Sequence, residues 1–492
     1  MLALMDRPYN IVNWAFWAAL VLVAGWTFFR HLLNRGGPTI LAAAFIGVLS
    51  LLVVIVALRL VYVAPMAITQ DIVAARQVLK GERLPTTDIQ PLVEETLAAE
   101  QRPASLETVW PWLAHSWPGL QKQEQQEFGE IAQNIQAQAH PPVATMIMVP
   151  FVYLFGVYGS SIPLAIFSIG CLGVSLFFLY DGLLLNVSTT QKVLISAVFL
   201  GWYPMYGVLR SGQSGAFLSM LIVAGWYGIR RRREALSGIA VGLAVSLKLF
   251  PALLLIYFLL RHRRAFWAGV ATIVILNSST MFIVGSRGYL DYMDTARVVT
   301  ETWSREPGNW SLLAALNNLA DVLNISALAS PTIFLVGAVC LVLALCFIII
   351  SVRNLASLAD YEYSMFVVAM TLLSPVCWTH YFVILALPII VLAKHFKDSH
   401  SPWFYAFIGL CLVICLPKVV LPVVLEPFVV GRGKIALHLL PPLALLGMIL
   451  MLAGVIWTSA QEREELRPKE SVIDSPRGNA GLLVQGPMRP AD

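Results

Sequence analysis

Charged residues are scarce in this chain. Lys, Arg, Asp and Glu make up 12% of its 492 residues, whereas hydrophobic residues make up 58%. Mean hydropathy is +0.75, while soluble domains carry charge on about a quarter of their residues. A composition so poor in charge excludes a soluble globular protein, and we predict no nucleic-acid partner.

Cysteine frameworks and metal-ligand motifs are also missing. The six cysteines lie mostly inside apolar runs, where cysteine behaves as a small buried hydrophobe. We therefore predict neither a disulfide framework nor a metal site, and no cofactor. The N-terminus lacks the pattern of a cleavable signal, because Asp6 and Arg7 precede an apolar run that leads straight into another. We expect a retained transmembrane helix there.

Long apolar runs dominate what is present. A helix needs roughly 20 apolar residues to cross the hydrocarbon, and eight runs approach that length, near residues 11–30, 39–63, 162–180, 191–209, 264–285, 329–351, 402–425 and 436–458. Residues 40–58 are apolar on every face, which excludes the alternating strands of a barrel. The predicted fold is an all-α polytopic membrane protein with about 11–13 transmembrane helices, including short broken ones.

The distribution of charge predicts the orientation. Positive residues cluster in short connections near Arg30, Arg230, Arg261 and Lys394, which the positive-inside rule places in the cytoplasm. The stretch 66–142 instead carries ten acidic residues against five basic ones. We therefore predict that it forms an external loop.

We divide the chain accordingly. The predicted segments are N-terminal transmembrane helices (1–64), a first external loop with amphipathic helices (65–142), a central transmembrane region (143–285), a second external loop (286–330), C-terminal transmembrane helices (331–458) and a disordered cytoplasmic tail (459–492).

The central region needs one interrupted helix. Arg233 and Arg261 are both predicted to be cytoplasmic, yet a single apolar segment lies between them. Two half-length helices that meet near Lys248 and Pro251 would return the chain to its own side. The alternative is a single span, which puts the two arginines on opposite faces. A further parity argument indicates that residues 143–157 do not cross.

Asp71 is the predicted catalytic base. Thr69 is a plausible N-cap and Gly81 a stop for a helix in the first external loop, and Asp71 falls in its first turn, where the helix dipole favours the ionised carboxylate. The alternative is a solvated aspartate at a helix start. His140, before Pro141 and Pro142, either binds substrate or caps the turn by which the chain enters the membrane.

Other polar residues stand where apolar ones would be less costly, so each is a functional candidate. Lys248 lies inside the interrupted apolar segment, and a lipid phosphate would suit it as a partner. His380 follows a span at its external end and could reach Asp71, or could simply be hydrogen-bonded at a helix end. Arg305 has the geometry for bidentate phosphate contact, although external loops are often this polar. The remaining candidates are Arg210, Gln213, Asn309 and Trp378.

The order of these motifs resembles glycosyltransferase family 87, the polyprenyl-phosphate-mannose-type transferases of the membrane GT-C superfamily. The resemblance covers roughly residues 65–395 and rests on Gln70-Asp71 with Ala74-Ala75 and Gly81, His140-Pro141-Pro142, Gly212-Gln213, Ser237-Gly238 to Gly242 with Lys248 and Pro251, Asn309-Trp310-Ser311-Leu312, and Ser374-Pro375 with His380. Two motifs depart from the family pattern: Ile72-Val73-Ala74 replaces an aromatic-rich run after Asp71, and Ser214-Gly215 follows Gln213 in place of the usual Asn.

The resemblance implies a GT-C-like fold and an inverting membrane glycosyltransferase. It would move a hexose, mannose in the first instance, from a polyprenyl-phosphate donor to a lipid or glycan acceptor on the external face of a bacterial inner membrane. We expect a monomer surrounded by membrane lipids. The predicted roles are catalysis for Asp71 and His380, donor-phosphate binding for Lys248, Arg210 and Arg305, and substrate binding for Gln213, His140, Asn309 and Trp378. The alternatives are a flippase for lipid-linked saccharides and a non-catalytic envelope-assembly protein.

Overall fold

The fold was analysed in a computed structural model of the chain. It describes residues 69–82, 140–184, 188–211, 214–305, 309–351, 358–399 and 433–466, together with Gly47, Val48, Ser50, Leu51 and Leu92. Predictions for the N-terminal helices, for most of the first loop and for the tail beyond 466 lie outside the described residues.

All regular secondary structure in the described ranges is helical, as predicted. In chain order the helices are α1 (Thr69–Leu79), α2 (Pro142–Gly159), α3 (Ser161–Leu183), α4 (Thr189–Gly201), α5 (Tyr203–Ser211), α6 (Gly215–Arg230), α7 (Glu234–Leu247), α8 (Leu253–Arg261), α9 (Arg263–Trp303), α10 (Leu312–Leu323), α11 (Pro331–Ser351), α12 (Ala359–Leu373), α13 (Ala386–Ser399) and α14 (Gly433–Leu466). Short 3₁₀ segments occupy Phe250–Ala252, Ser326–Ala329 and Thr379–Leu385.

Three helices have the length and apolar composition to cross a bilayer, among the residues described. They are the Pro163–Leu183 part of α3, the long helix α9 and α11. Several shorter apolar helices, including α6, α7 and α8, pack between them. The chain is therefore an all-α polytopic membrane protein in which short and broken helices accompany full spans.

The helix break predicted at Lys248 is present. Lys248 has extended backbone angles (φ −150°, ψ 134°) directly after α7, and the 3₁₀ turn with Pro251 follows. The chain then returns through α8, because His262 Nδ1 after α8 lies 3.1 Å from Glu234 Oε1 at the start of α7. The two ends of the hairpin therefore meet, which confirms the half-length helices and rejects a single span.

Glycines allow α7 and α9 to run side by side in close contact. A Cβ on Gly238 would lie 2.1 Å from the Ala265 carbonyl oxygen, and a Cβ on Gly242 would lie 2.6 Å from that of Gly269. The paired positions increase together along both helices, so α7 and α9 are parallel. This crossing holds the hairpin against a full membrane span.

Four ion pairs lie together at one end of the bundle. They join Asp181 to Arg231, Arg230 to Asp360, Arg261 to Glu362 and Glu234 to His262. This is the end that the arginine clusters predict to be cytoplasmic. Lys248 lies at the other end of α7, whose 14 residues span on the order of 20 Å.

Helix α2 begins and ends at the Lys248 end. His140, just before α2, contacts Lys248, and Leu164, just after it, lines a small apolar cavity together with Leu247 and Met148. These contacts agree with the parity argument that residues 143–157 do not cross.

The stretch 286–330, predicted to be a loop, is largely helical where it is described. Helix α9 continues to Trp303 after a kink at Gly285, whose φ of +79° is in the region that favours glycine. Helix α10 then follows, with Ser311 as its N-cap accepting a hydrogen bond from the Ala314 amide. The polar residues of this stretch therefore lie mostly on helices and not in an irregular loop. The external location of the stretch stays a prediction.

Candidate active site

Four separate elements bring polar side chains together at the end of the bundle opposite the ion pairs. Helix α1 supplies Asp71, the turn before α2 supplies His140, the break after α7 supplies Lys248, and the 379–385 segment supplies Tyr381. All four are buried, with between 3% and 6% of their surface exposed. Since buried polar groups are costly unless they are paired, their mutual contacts define the site.

Asp71 and His140 form the first contact of the site. Asp71 Oδ2 lies 2.7 Å from His140 Nδ1. Gln70, the residue before Asp71, places its side-chain nitrogen 3.3 Å from the same imidazole atom. Ile72 and Ala75 pack α1 against Met148 and Val152 of α2, which fixes the two elements in this register.

Lys248 lies on the other side of the imidazole. Its Nζ is 3.1 Å from His140 Nε2. A protonated Lys248 can only donate hydrogen bonds, so with it Nε2 is the acceptor and the ring proton lies on Nδ1, facing Asp71. His140 therefore bridges the Lys248 amine and the Asp71 carboxylate.

Tyr381 completes the cluster around Lys248. The ammonium donates to the Tyr381 hydroxyl and lies 4.2 Å from the centroid of its ring. Phe250, from the turn after the helix break, stacks on the same ring with a centroid distance of 5.7 Å. Tyr381 was not predicted as a site residue, although its neighbour His380 was. Lys248 and Tyr381 are 133 residues apart, so no local pattern in the sequence indicates their contact.

His380 points to a different neighbourhood. It packs against α5 and α6, because a Cβ on Gly207 would lie 3.3 Å from His380 Cβ and one on Gly215 would lie 3.4 Å from its carbonyl oxygen. The histidine that contacts Asp71 is instead His140. A catalytic role for His380 stays a prediction. Its ring makes an edge contact with that of Tyr381.

Three further predicted phosphate and substrate ligands are Arg210, Gln213 and Arg305. Gln213 and the side chain of Arg210 lie outside the described residues. The Arg305 side chain is 64% exposed and lies 3.8 Å from Asp321. Their roles as ligands stay predictions.

Asn309 and Trp378 lie at the turn that precedes the 379–385 segment. Asn309 is fully buried, and its amide contacts four protein groups, the carbonyls of Trp303 and Pro375 and the amides of Ser311 and Cys377. Four is the full hydrogen-bonding capacity of an asparagine side chain, so this geometry does not favour direct substrate binding. Trp378 is partly exposed and packs edge-on against Trp303.

The site offers general-base chemistry next to a fixed cation. No group of three or more His, Cys, Asp or Glu suited to a metal ion occurs among the residues described. The Asp71 carboxylate, held by the His140 imidazole, can take a proton. The Lys248 ammonium, on the other side of that imidazole, can stabilise negative charge on a departing group. Such a pairing suits group transfer from a phosphate-linked donor.

A comparison with known families decides the class of the protein. Residues 139–375 match the model of glycosyltransferase family 87. This part of the chain belongs to glycosyltransferase family 87. The protein is therefore a membrane glycosyltransferase. His140, Lys248 and Asn309 lie inside the family 87 match, whereas Asp71 precedes it and His380 follows it by five residues.

The chain is also similar to one curated protein. It is 24% identical over 314 residues, covering 58% of this chain and 68% of the relative, to the polyprenol-phosphate-mannose-dependent alpha-(1-2)-phosphatidylinositol mannoside mannosyltransferase of Mycolicibacterium smegmatis. Among solved structures, apo ArnT from Cupriavidus metallidurans aligns at 15% identity and a TM-score of 0.34, covering 65% of this chain and 67% of ArnT. ArnT bound to undecaprenyl phosphate aligns at 14% and 0.30, covering 69% and 71%.

Proposed function

We propose that this family 87 protein transfers mannose from a polyprenyl-phosphate donor to a lipid or glycan acceptor, with inversion, at the external face of the plasma (inner) membrane of a bacterium. The observation that carries the proposal is the buried contact series from Asp71 through His140 to Lys248. In this series the His140 imidazole lies between the Asp71 carboxylate and the Lys248 ammonium. The series is at the end of the bundle away from the arginine-rich turns.

The transfer step requires one base and one stabilised leaving group. The acceptor hydroxyl oxygen forms a bond to the anomeric carbon while the bond from that carbon to the phosphate oxygen breaks. The hydroxyl proton passes to Asp71, and the electron pair of the broken bond stays with polyprenyl phosphate. A single displacement of this kind inverts the anomeric configuration.

Lys248 is the proposed partner of the donor phosphate. His140 and Tyr381 take two of its three N–H donors, and the third is available to a phosphate oxygen. A small cavity lined mainly by apolar side chains of α2, α3 and α6 lies beside Leu247, the residue before Lys248. A fixed cation at this position offsets the charge that develops on the leaving phosphate.

Two independent observations support the donor and the face. The Mycolicibacterium smegmatis relative is named as polyprenol-phosphate-mannose-dependent, which favours mannose. The ion pairs formed by Arg230, Arg231 and Arg261 lie at the opposite end of the bundle from Asp71, and the positive-inside rule assigns that opposite end to the cytoplasm. The acceptor is then one that reaches the external surface.

The experiment uses purified protein in proteoliposomes with radiolabelled polyprenyl-phosphate mannose and a membrane extract as the source of acceptor. Transfer of label into a new product is expected, and Asp71→Asn is expected to reduce the rate by roughly 10²–10⁴-fold because the base is lost. Asp294→Asn, an exposed aspartate on α9, is the matched control and keeps the wild-type rate.

Three results would contradict parts of the proposal. Binding of the donor without product would favour the flippase alternative. Product formed only from polyprenyl-phosphate arabinose would reject mannose as the donor sugar. Full activity of a correctly inserted Asp71→Asn variant would remove Asp71 as the base.

A further inference from the structure

We propose that Asn309 is a positioning residue that fixes the turn 374–378, and through that turn the contact between Tyr381 and Lys248. The inference rests on the proposed function only for its activity readout. It differs from a substrate contact because every hydrogen-bonding group of the Asn309 amide is used within the protein.

The Asn309 side chain joins three stretches of chain. Its Nδ2 donates to the Trp303 carbonyl at the end of α9 and to the Pro375 carbonyl, both at 3.0 Å. Its Oδ1 accepts from the Ser311 amide at 3.1 Å and from the Cys377 amide at 2.8 Å. One side chain therefore ties the end of α9 and the start of α10 to the turn that follows α12.

Two neighbours of Asn309 strengthen the same junction. The Trp310 amide donates to the Cys377 carbonyl at 2.6 Å, and the Ser311 hydroxyl lies 3.1 Å from the Pro375 carbonyl. The Trp310 ring, which is 1% exposed, packs edge-on against Phe382. The turn 374–378 therefore has little freedom to shift, since each shift would break several buried hydrogen bonds at once.

The turn 374–378 leads directly into the segment that carries Tyr381. The Tyr381 amide donates to the Trp378 carbonyl at 2.9 Å, so the end of the turn and the tyrosine move together. Tyr381 in turn contacts Lys248 and stacks on Phe250 of the hairpin. Displacement of the turn would therefore move the hydroxyl that holds the Lys248 ammonium.

The first test compares Asn309→Ala with Asn317→Ala. Asn317 is a matched control, because it is also buried and also donates to a main-chain carbonyl, that of Ser304, but it has no hydrogen bond to the 374–378 turn. Per folded molecule, Asn309→Ala is expected to lower kcat for transfer about 10²-fold, as misplacement by about 1 Å can do, and to raise KM for the donor. Asn317→Ala is expected to leave kcat per folded molecule close to that of the wild type, because the hydrogen bond it loses does not reach the 374–378 turn.

A double-mutant cycle separates positioning from general stability. If Asn309 acts through Tyr381, then Asn309→Ala added to Tyr381→Phe is expected to cost much less than it costs in the wild type, because coupled residues are not additive. Additive losses would overturn the inference. So would an unchanged kcat in Asn309→Ala, or an equal loss in Asn317→Ala.

Hydrogen exchange provides a readout that does not need the substrate. Peptides covering 374–385 are expected to exchange faster in Asn309→Ala and to be unchanged in Asn317→Ala, and unchanged exchange in both would overturn the inference. If Asn309→Ala does not fold, Ser311→Ala removes the hydroxyl bond to Pro375 together with the N-cap bond to the Ala314 amide, and it is expected to shift both readouts in the same direction by less. A wild type without transferase activity would reject the proposed function while the exchange data still decide on Asn309.

Discussion

His140 Nε2 lies 3.1 Å from Lys248 Nζ, although 108 residues separate them in the chain. With Lys248 protonated, the imidazole accepts from the ammonium at Nε2 and donates from Nδ1 to Asp71. His140 is thus set up to orient the carboxylate rather than to act as the base itself, because its only acceptor nitrogen faces a cation.

Substitution of His140 distinguishes these two roles. His140→Gln keeps an acceptor for Lys248 and a donor for Asp71, so we expect transfer within about tenfold of the wild type, whereas His140→Ala leaves both charged groups without this bridge and is expected to lose about 10²-fold. The measurement is kcat in the proteoliposome assay, with the amount of folded protein determined by gel filtration. Equal losses in the two variants would indicate that His140 is the base.

Removal of the Lys248 charge is expected to act on the donor side of the reaction. Lys248→Met should lower kcat by roughly 10²–10³-fold, the usual loss when one fixed group that stabilises developing negative charge is removed, and it should raise KM for the polyprenyl-phosphate donor. Lys192→Met, a partly buried lysine near the start of α4, is the matched control and should change neither. Normal donor kinetics in Lys248→Met would show that another cation binds the phosphate.

The sequence predicted the hairpin around Lys248 because the information is local. Arginines at both ends demand the same side of the membrane, and Pro251 removes a helical hydrogen bond near the midpoint. The structure adds the closure by Glu234 and His262. Asp71 was also predicted as a site residue, because it lies in the first turn of a helix that follows a span, where the helix dipole favours the ionised carboxylate.

The partners within the site could not be predicted in the same way. His140 and Asp71 are 69 residues apart, and no local pattern favours that contact over one between His380 and Asp71. The 3.6-residue periodicity of the polar stretch after Gly285 is masked by its many polar side chains, so the helical continuation of α9 was missed. The Asn309 junction depends on three segments meeting, which a single sequence does not encode in any spacing.

Tight packing of α7 on α9 should make Gly238 intolerant of a side chain. In Gly238→Ala the new Cβ would lie 2.1 Å from the Ala265 carbonyl oxygen, and overpacking of this kind typically destabilises by about 1–3 kcal/mol. The control is Gly173→Ala on α3, where a Cβ would meet nothing within 4 Å, so its better helix propensity should leave stability equal or slightly raised. Thermal unfolding in detergent measures both, and equal midpoints would contradict the close crossing.

The buried pair of Arg261 and Glu362 is expected to stabilise the closed end of the hairpin. Arg261 donates from Nε to Glu362 Oε2 at 2.8 Å and from Nη2 to Oε1 at 2.5 Å, and the Glu362 side chain is fully buried. Arg261→Met alone strands a buried charge and should cost about 3–5 kcal/mol, while Arg261→Met with Glu362→Leu should recover much of that loss.

The exposed pair of Arg297 and Glu301 is the control for this experiment. Both side chains are more than two-thirds exposed, so Arg297→Met should cost less than about 1 kcal/mol. Thermal midpoints of the four proteins give the comparison. A loss in Arg261→Met no larger than that in Arg297→Met would show that the hairpin does not depend on its ion pair.

The assignment of faces predicts which positions react with an impermeant thiol reagent. Arg232 is exposed in the turn between α6 and α7, and Asp294 is exposed on α9 beyond its kink. With the six native cysteines replaced by serine, Asp294→Cys should react in intact cells, whereas Arg232→Cys should react only after the membrane is permeabilised, because arginine-rich turns stay in the cytoplasm. Reaction of Arg232→Cys in intact cells, with Asp294→Cys protected, would invert the orientation and place the Asp71 site on the cytoplasmic side.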